Sequence, residues 1–294
     1  MAELKGIFAA SMSVLKADLS LDIEATLQHA KTNLDDNGVG SAFFGSTGAG
    51  QLIDQKMKKE FITALSKEKF KEKILIGPSC NSLHTTIDIM QHSINKGLNH
   101  FLCMNVAYYK NEDRTVYNFF KNIIKAAPDS RIVLYNFSKL SGYAFSQEVT
   151  ERLIKDFPQI VGMKDSTGNL WNNFKSKNFS MFVGSEKKLT DNLKIGGAGV
   201  ISATTNFSGS LAKKVYDDFK KTGSSPDDEK LKAIRTAFDE TGNLISALHT
   251  LKSIENKVYA NLLPPLELLS QNKKDELIKK LKGLGVLNNK NMAA

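Results

Sequence analysis

The chain has 294 residues, 41% hydrophobic and 24% charged, with 40 Lys and Arg against 31 Asp and Glu. That is the composition of a folded globular protein with ample core, and it excludes a disordered or fibrous chain. The net charge of +9 raises nucleic-acid binding. However, the lysines are spread over helix faces without a dense basic run among aromatics, so a solvated surface that favours small anions is expected, and no nucleic-acid partner.

Apolar runs recur along the chain, each closing on small or polar residues and followed by a helical pattern. Gly6–Ala10 is the first, with a helix near Leu21–Asn37. The mildly apolar stretch Ile7–Leu15 is broken by Ser11 and Ser13 and reads as a strand rather than a secretion signal. Ser41–Phe44 follows and ends in Gly45-Ser46-Thr47-Gly48-Ala49-Gly50, with a helix near Asp54–Lys67. Lys73–Gly77 precedes a helix through His92. His100–Asn105 leads into Ala107-Tyr108-Tyr109 and a helix from about Asp113. Arg131–Asn136 is fifth and Ile160–Lys164 is sixth, the latter with a helix expected from Asn169. Met181–Gly184 and Gly199–Ala203 complete the series. From Ser210 the pattern is helical only.

Strands alternating with helices imply parallel pairing with crossover helices, and eight such units close into a barrel. The fold expected is α/β, a (β/α)8 TIM barrel over residues 1–222 with a helical segment appended over 223–294. An open doubly wound sheet is the alternative. It calls for a glycine-rich phosphate turn after the first strand, where the chain has Ser11-Met12-Ser13. No apolar run reaches the roughly 20 residues of a membrane span. Two cysteines, Cys80 and Cys103, suit a reducing, cytoplasmic setting. The five histidines show no metal-ligand spacing, so no metal is expected.

In a barrel, side chains at the strand C-termini converge on one face. Lys164 stands at such a tip, after Ile160-Val161-Gly162-Met163. Desolvation there favours the neutral amine, which can attack a ketone and form a Schiff base. The plainer reading of Lys164 is one more surface lysine where a strand meets a loop. Tyr135 ends the neighbouring strand. It is either a half-buried aromatic with one hydrogen-bond partner or a phenol that shuttles protons to the imine. Ser46 and Thr47 lie in a glycine-rich turn whose hydroxyls and freed N–H groups suit a carboxylate, although the same stretch can be merely a turn.

Together, Gly45-Ser46-Thr47-Gly48, Tyr135-Asn136, Gly162-Met163-Lys164 and Gly196-Gly197-Ala198-Gly199-Val200-Ile201-Ser202 resemble the dihydrodipicolinate synthase / N-acetylneuraminate lyase family, in the right order from about Gly6 to Phe207. The resemblance implies a (β/α)8 barrel with added C-terminal helices, assembled as a homotetramer (a dimer of dimers), and class I chemistry on pyruvate or another 2-oxo acid with an aldehyde as second partner. It implies no cofactor. By the same resemblance Lys164 is the Schiff-base lysine, Tyr135 the general acid/base, and Ser46 the proton relay. Thr47, beside Gly48, binds the substrate carboxylate. Tyr109 reaches the relay from a neighbouring subunit. Ile201 lines the pyruvate pocket, and Glu186 matches an acidic residue of the sialic-acid site.

The departures bear on the aldehyde. Ala49 and Gly50 stand where the family commonly has glutamate after Gly-Thr-Thr-Gly, and Ser138 replaces a proline. Leu140 stands where the lysine-pathway synthases place an arginine on the carboxylate of aspartate semialdehyde. Ser185 and Ala203 occupy sites where a sialic-acid pocket calls for an acid and a hydroxyl. A pyruvate-dependent aldolase or lyase acting on a 2-keto-3-deoxy sugar acid or N-acetylneuraminate-like substrate is expected. The alternatives are 4-hydroxy-tetrahydrodipicolinate synthase activity and a non-catalytic barrel that binds a 2-oxo acid.

Overall fold

The computed structural model describes residues 4–70, 73–174, 176 and 178–287. Eight parallel strands close into a barrel in sequence order, with β1 pairing β2 on one side and β8 on the other. The strands are β1 Gly6–Ala10, β2 Gly40–Phe43, β3 Ile74–Ile76, β4 His100–Met104, β5 Arg131–Asn136, β6 Ile160–Asp165, β7 Ser180–Val183 and β8 Gly199–Ser202. Each lies within a residue or two of its sequence-based bounds. The fold is the TIM barrel.

Alternation along the strands decides what faces the barrel axis. On β5, Ile132 and Leu134 pack outward into the large core shared with the helices, whereas Val133 and Tyr135 point inward. The interior is filled by Phe8, Ala42, Leu75, Leu102, Phe182 and Ile201 among others, with Phe8 set edge-on to Phe182 at 5.7 Å. On β6, Met163 belongs to the outer core and Lys164, the next residue, turns inward.

The covering helices are α1 Ile23–Asn37, α2 Gln55–Leu65, α3 Leu83–Asn95, α4 Asp113–Ala126, α5 Ser138–Ser141, α6 Gln147–Asp156, α7 Leu189–Lys194 and α8 Thr205–Thr222. Their starts are written in the sequence. Asp22, Asp54, Ser82 and Ser146 each accept a backbone N–H of the first turn, a cap that stabilises a helix by about 1 kcal/mol. Gly38 and Gly223 close α1 and α8 at φ 65° and 80°, the left-handed conformation in which glycine carries no side-chain penalty.

One expected helix is absent. Residues 166–174 after β6 form turns and bends, not the helix expected from Asn169. The Asp165 carboxylate accepts the backbone N–H groups of Gly168, Leu170 and Trp171 at 2.8, 2.8 and 2.9 Å. Gly168 sits at φ 89°. These bonds bind the backbone into a loop that competes with helical pairing. The crossover between β5 and β6 is α6.

After Gly223 come α9 Asp228–Asp239, α10 Leu244–Glu255 and α11 Gln271–Gly283. Phe238, Leu248, Leu251 and Leu281 bury a core that also takes in Met12 and Ala203, the residues just beyond β1 and β8. The histidine His29 of α1 adds a polar tie. Its Nε2 shares a hydrogen bond with Asn206 at 2.8 Å and its Nδ1 one with the Tyr259 hydroxyl at 2.9 Å. No described helix is long and apolar enough to cross a membrane.

Candidate active site

The inward phase of β5 and β6 and the register that pairs Tyr135 with Lys164 place these two side chains next to each other. The Lys164 amine stands 4.2 Å from the centroid of the Tyr135 ring. Both residues are 4% exposed. Lys58, Lys164 and Arg235 are the buried cations of the described residues, which removes Lys164 from the class of solvated surface lysines. Lys58 belongs to α2, where burial lowers its pKa, and lies 5.8 Å over the Phe44 ring.

The turn after β2 supplies the next group. The Tyr135 hydroxyl shares a hydrogen bond with Ser46 Oγ at 3.2 Å. The turn is held by Ala49 N donating to the Ser46 carbonyl at 3.1 Å and Gly50 N donating to the Gly45 carbonyl at 3.0 Å. Ser13 Oγ also donates to the Gly48 carbonyl at 2.6 Å. A Cβ at Gly48 would stand 2.7 Å from the Ser11 carbonyl oxygen, so glycine lets the turn lie against the end of β1. Thr47 is buried beside Ser46, and Ile201 is buried in the interior wall. Lys164, Tyr135 and Ser46 are thus brought together from β6, β5 and the β2 turn, with Thr47, Gly48 and Ile201 in adjoining elements.

The other three expected site residues stand apart from this cluster in the single chain. Tyr109 is 70% exposed in the loop after β4, its ring set edge-on to Tyr108 at 5.1 Å. Leu140 is 47% exposed on α5. Glu186 is fully buried, and both its oxygens are engaged. Ser202 and Thr204 donate to it at 2.7 and 2.6 Å, and Arg235 Nη1 pairs with it at 3.0 Å. The acidic residue that the resemblance matched to the sialic-acid site is, in this chain, half of a buried ion pair.

Sequence reading missed the frame around the lysine. Asp165 also accepts from Asn136 Nδ2 at 2.9 Å. Asn136 in turn accepts from Phe145 N at 3.2 Å and from Thr167 Oγ1 at 3.2 Å. The two residues join β5 and β6 directly behind Tyr135 and Lys164. The signal was present, since each adjoins an expected catalytic residue in Tyr135-Asn136 and Lys164-Asp165. Arg235 gave no signal, lying 49 positions from the carboxylate it binds. Among the described residues, no group of three or more His, Cys, Asp or Glu is placed to hold a metal.

The sequence model of the dihydrodipicolinate synthetase family matches residues 3–284. The chain belongs to this family. A probable 2-dehydro-3-deoxy-D-pentonate aldolase, YjhH, of Escherichia coli K12 is 26% identical, covering 98% of this chain and 99% of its own. A 4-hydroxy-tetrahydrodipicolinate synthase of Methanopyrus kandleri is 24% identical over 97% and 98%. Among solved structures, E. coli K12 YagE in complex with pyruvate superposes with a TM-score of 0.85 at 20% identity, over 97% of this chain and all of that one. A catalytic-lysine mutant of the Ruminococcus gnavus sialic acid aldolase gives 0.82 at 18% identity, over 96% of each. As a member of the dihydrodipicolinate synthetase family the chain is an aldolase-type lyase.

Proposed function

We propose that the protein is a class I aldolase that makes or breaks a carbon–carbon bond at C3 of a 2-oxo acid through a Schiff base on Lys164, with pyruvate as one reactant. The buried contact of the Lys164 amine with Tyr135, and of Tyr135 with Ser46, carries this reading.

In the cleavage direction, the Lys164 amine adds to the C2 ketone. The carbinolamine loses water with a proton delivered by Tyr135, leaving an iminium. Tyr135 then takes the C4 hydroxyl proton, and the C3–C4 bond breaks. Its electron pair passes to the iminium nitrogen as an enamine forms, and the aldehyde departs. Protonation at C3 and hydrolysis return pyruvate and free Lys164. Ser46 relays the proton to and from Tyr135, and Thr47 with the backbone at Gly48 holds the substrate carboxylate. Donors fixed in a buried site cost no reorganisation when charge develops. The Asp165–Asn136 frame holds the lysine without touching substrate, as a positioning pair.

For the aldehyde, the reading is a 2-keto-3-deoxy sugar acid or N-acetylneuraminate-like substrate. Leu140 and Ala49 support it over aspartate semialdehyde, as does the name of the E. coli pentonate aldolase that matches along the whole chain. We further propose a cytoplasmic homotetramer in which the exposed Tyr108–Tyr109 pair meets a neighbouring subunit. Its chain is divided at Gly223 into barrel and helical segment.

Borohydride trapping with pyruvate, read by peptide mass spectrometry, tests the chemistry. A reduced pyruvyl adduct on Lys164, absent in Lys164→Ala, is the expected result. A folded protein without that adduct would point to a 2-oxo-acid-binding barrel instead. Rapid condensation of pyruvate with aspartate semialdehyde would transfer the protein to the synthase activity.

A further inference from the structure

Glu186 follows β7 by three residues, at the end of the barrel where Lys164 emerges, yet its carboxylate is turned from the barrel axis. On β8, Ile201 fills the interior. Ser202, the next residue, faces the other way by strand alternation. Glu186 binds Ser202 at 2.7 Å and Thr204 at 2.6 Å, so it lies on that outer side. Arg235 of α9 holds it there. One guanidinium nitrogen reaches the Glu186 carboxylate, Ser202 Oγ and the Gly184 carbonyl at 3.0, 3.0 and 3.3 Å. Nε of the same guanidinium donates to Asp239 at 2.8 Å, and Asp239 pairs with Lys187 at 3.6 Å.

Glu186 is thereby withdrawn as an acceptor from the aldehyde end, where Ser166 keeps a hydroxyl beside Gly184. Ser185 Oγ is engaged with Lys187 N at 3.4 Å. Leu140, on α5, brings no polar group. Phe137 stacks on Tyr135 at 6.0 Å and 27°. A long polyhydroxylated tail binds well only where its hydroxyls meet partners, because each hydroxyl buried without one carries its desolvation penalty. A short aldehyde leaves little to satisfy. An aldehyde carrying its own carboxylate meets no arginine at position 140.

We infer that Arg235 is a specificity-determining residue, which withdraws Glu186 from the aldehyde end and restricts the enzyme to short, uncharged hydroxyaldehydes. This rests on the Schiff-base reading above and deepens it. Arg235 does not touch the reacting atoms. It acts by completing, with Ser202 and Thr204, the set of partners that holds this carboxylate away from substrate hydroxyls.

The test is a condensation panel of pyruvate with glycolaldehyde, D-glyceraldehyde, N-acetylmannosamine or aspartate semialdehyde, with borohydride trapping of pyruvate run in parallel. The expected kcat/KM favours the two short aldehydes at least tenfold, the discrimination of about one hydrogen bond to a charged group. If the Lys164 adduct forms but N-acetylmannosamine or aspartate semialdehyde is preferred, this inference falls and the aldolase stands. If no adduct forms, the underlying reading falls. Arg235→Met should shift the ratio toward N-acetylmannosamine about tenfold or more, and an unchanged ratio in the folded variant overturns the assignment. That variant strands a buried charge and is at risk of not folding. The doubly neutral Glu186→Gln/Arg235→Met protein therefore provides the second arm. It should keep the wild-type ratio, and a more than tenfold fall on every hydroxylated aldehyde would mean that Glu186 reaches substrate after all.

Discussion

Replacing Asp165 by Asn isolates the frame behind Lys164. The carboxylate is 1% exposed and accepts four hydrogen bonds, from Asn136 Nδ2 and Gly168 N on one oxygen and from Leu170 N and Trp171 N on the other. An asparagine of the same shape keeps one oxygen and turns an NH2 group toward the other pair of donors. Two hydrogen bonds to a charged acceptor are lost, at about 1.5–3 kcal/mol each, so the protein should lose about 3–6 kcal/mol of stability. The turn that follows Lys164 loosens with it. We expect the urea midpoint to fall and the rate of borohydride-trapped pyruvate adduct formation to fall at saturating pyruvate, with recovery of neither on adding salt. Asp165→Ala should be worse, since it abandons all four donors. A variant Asp165→Asn within about 1 kcal/mol of wild type, below the smallest value for even one such bond, would refute the view that this carboxylate holds the loop.

Tyr135→Phe removes the hydroxyl and keeps the ring on which the amine rests, so turnover should fall roughly 10²-fold or more while adduct still accumulates slowly. An unchanged rate in steady-state assay would remove Tyr135 from proton transfer. Gly48→Ala drives a methyl group to 2.7 Å from the Ser11 carbonyl. It should cost about 1–3 kcal/mol of stability and raise the KM for pyruvate by displacing Ser46 and Thr47, and an ordinary KM in the folded variant would contradict that placement. Burial, reinforced by Lys252 and His249 and opposed by the Asn206 hydrogen bond, pushes His29 down to about 4. Below pH 6.5 the unfolded chain takes up a proton there that the folded chain refuses. Stability is therefore complete above pH 6.5 and falls by about 1.4 kcal/mol per pH unit from 6.5 toward 4. Urea titrations at pH 7 and pH 5 should show a smaller loss in His29→Gln than in wild type, and equal losses would show that another group governs the acid limb.

The sequence by itself determined the strands, the barrel and the place of Lys164 at a strand tip. Continuous apolar runs such as Ile132–Tyr135 are local signals, read from neighbours within a few positions. The glycines of the β2 turn are likewise visible as a cluster. Only the tertiary structure decided what those groups meet. The helix expected from Asn169 failed because one carboxylate, Asp165, captured its backbone donors. Tyr109, in the loop after β4, and Leu140, on α5, face solvent in the single chain. Glu186, matched in the sequence only to an acidic residue of a sugar site, is a buried partner of Arg235. No local pattern could foretell that, since Arg235 arrives on a helix of the appended segment. Whether a carboxylate serves a ligand or the fold depends on which side of a strand its partners stand, and that is settled only when the barrel closes.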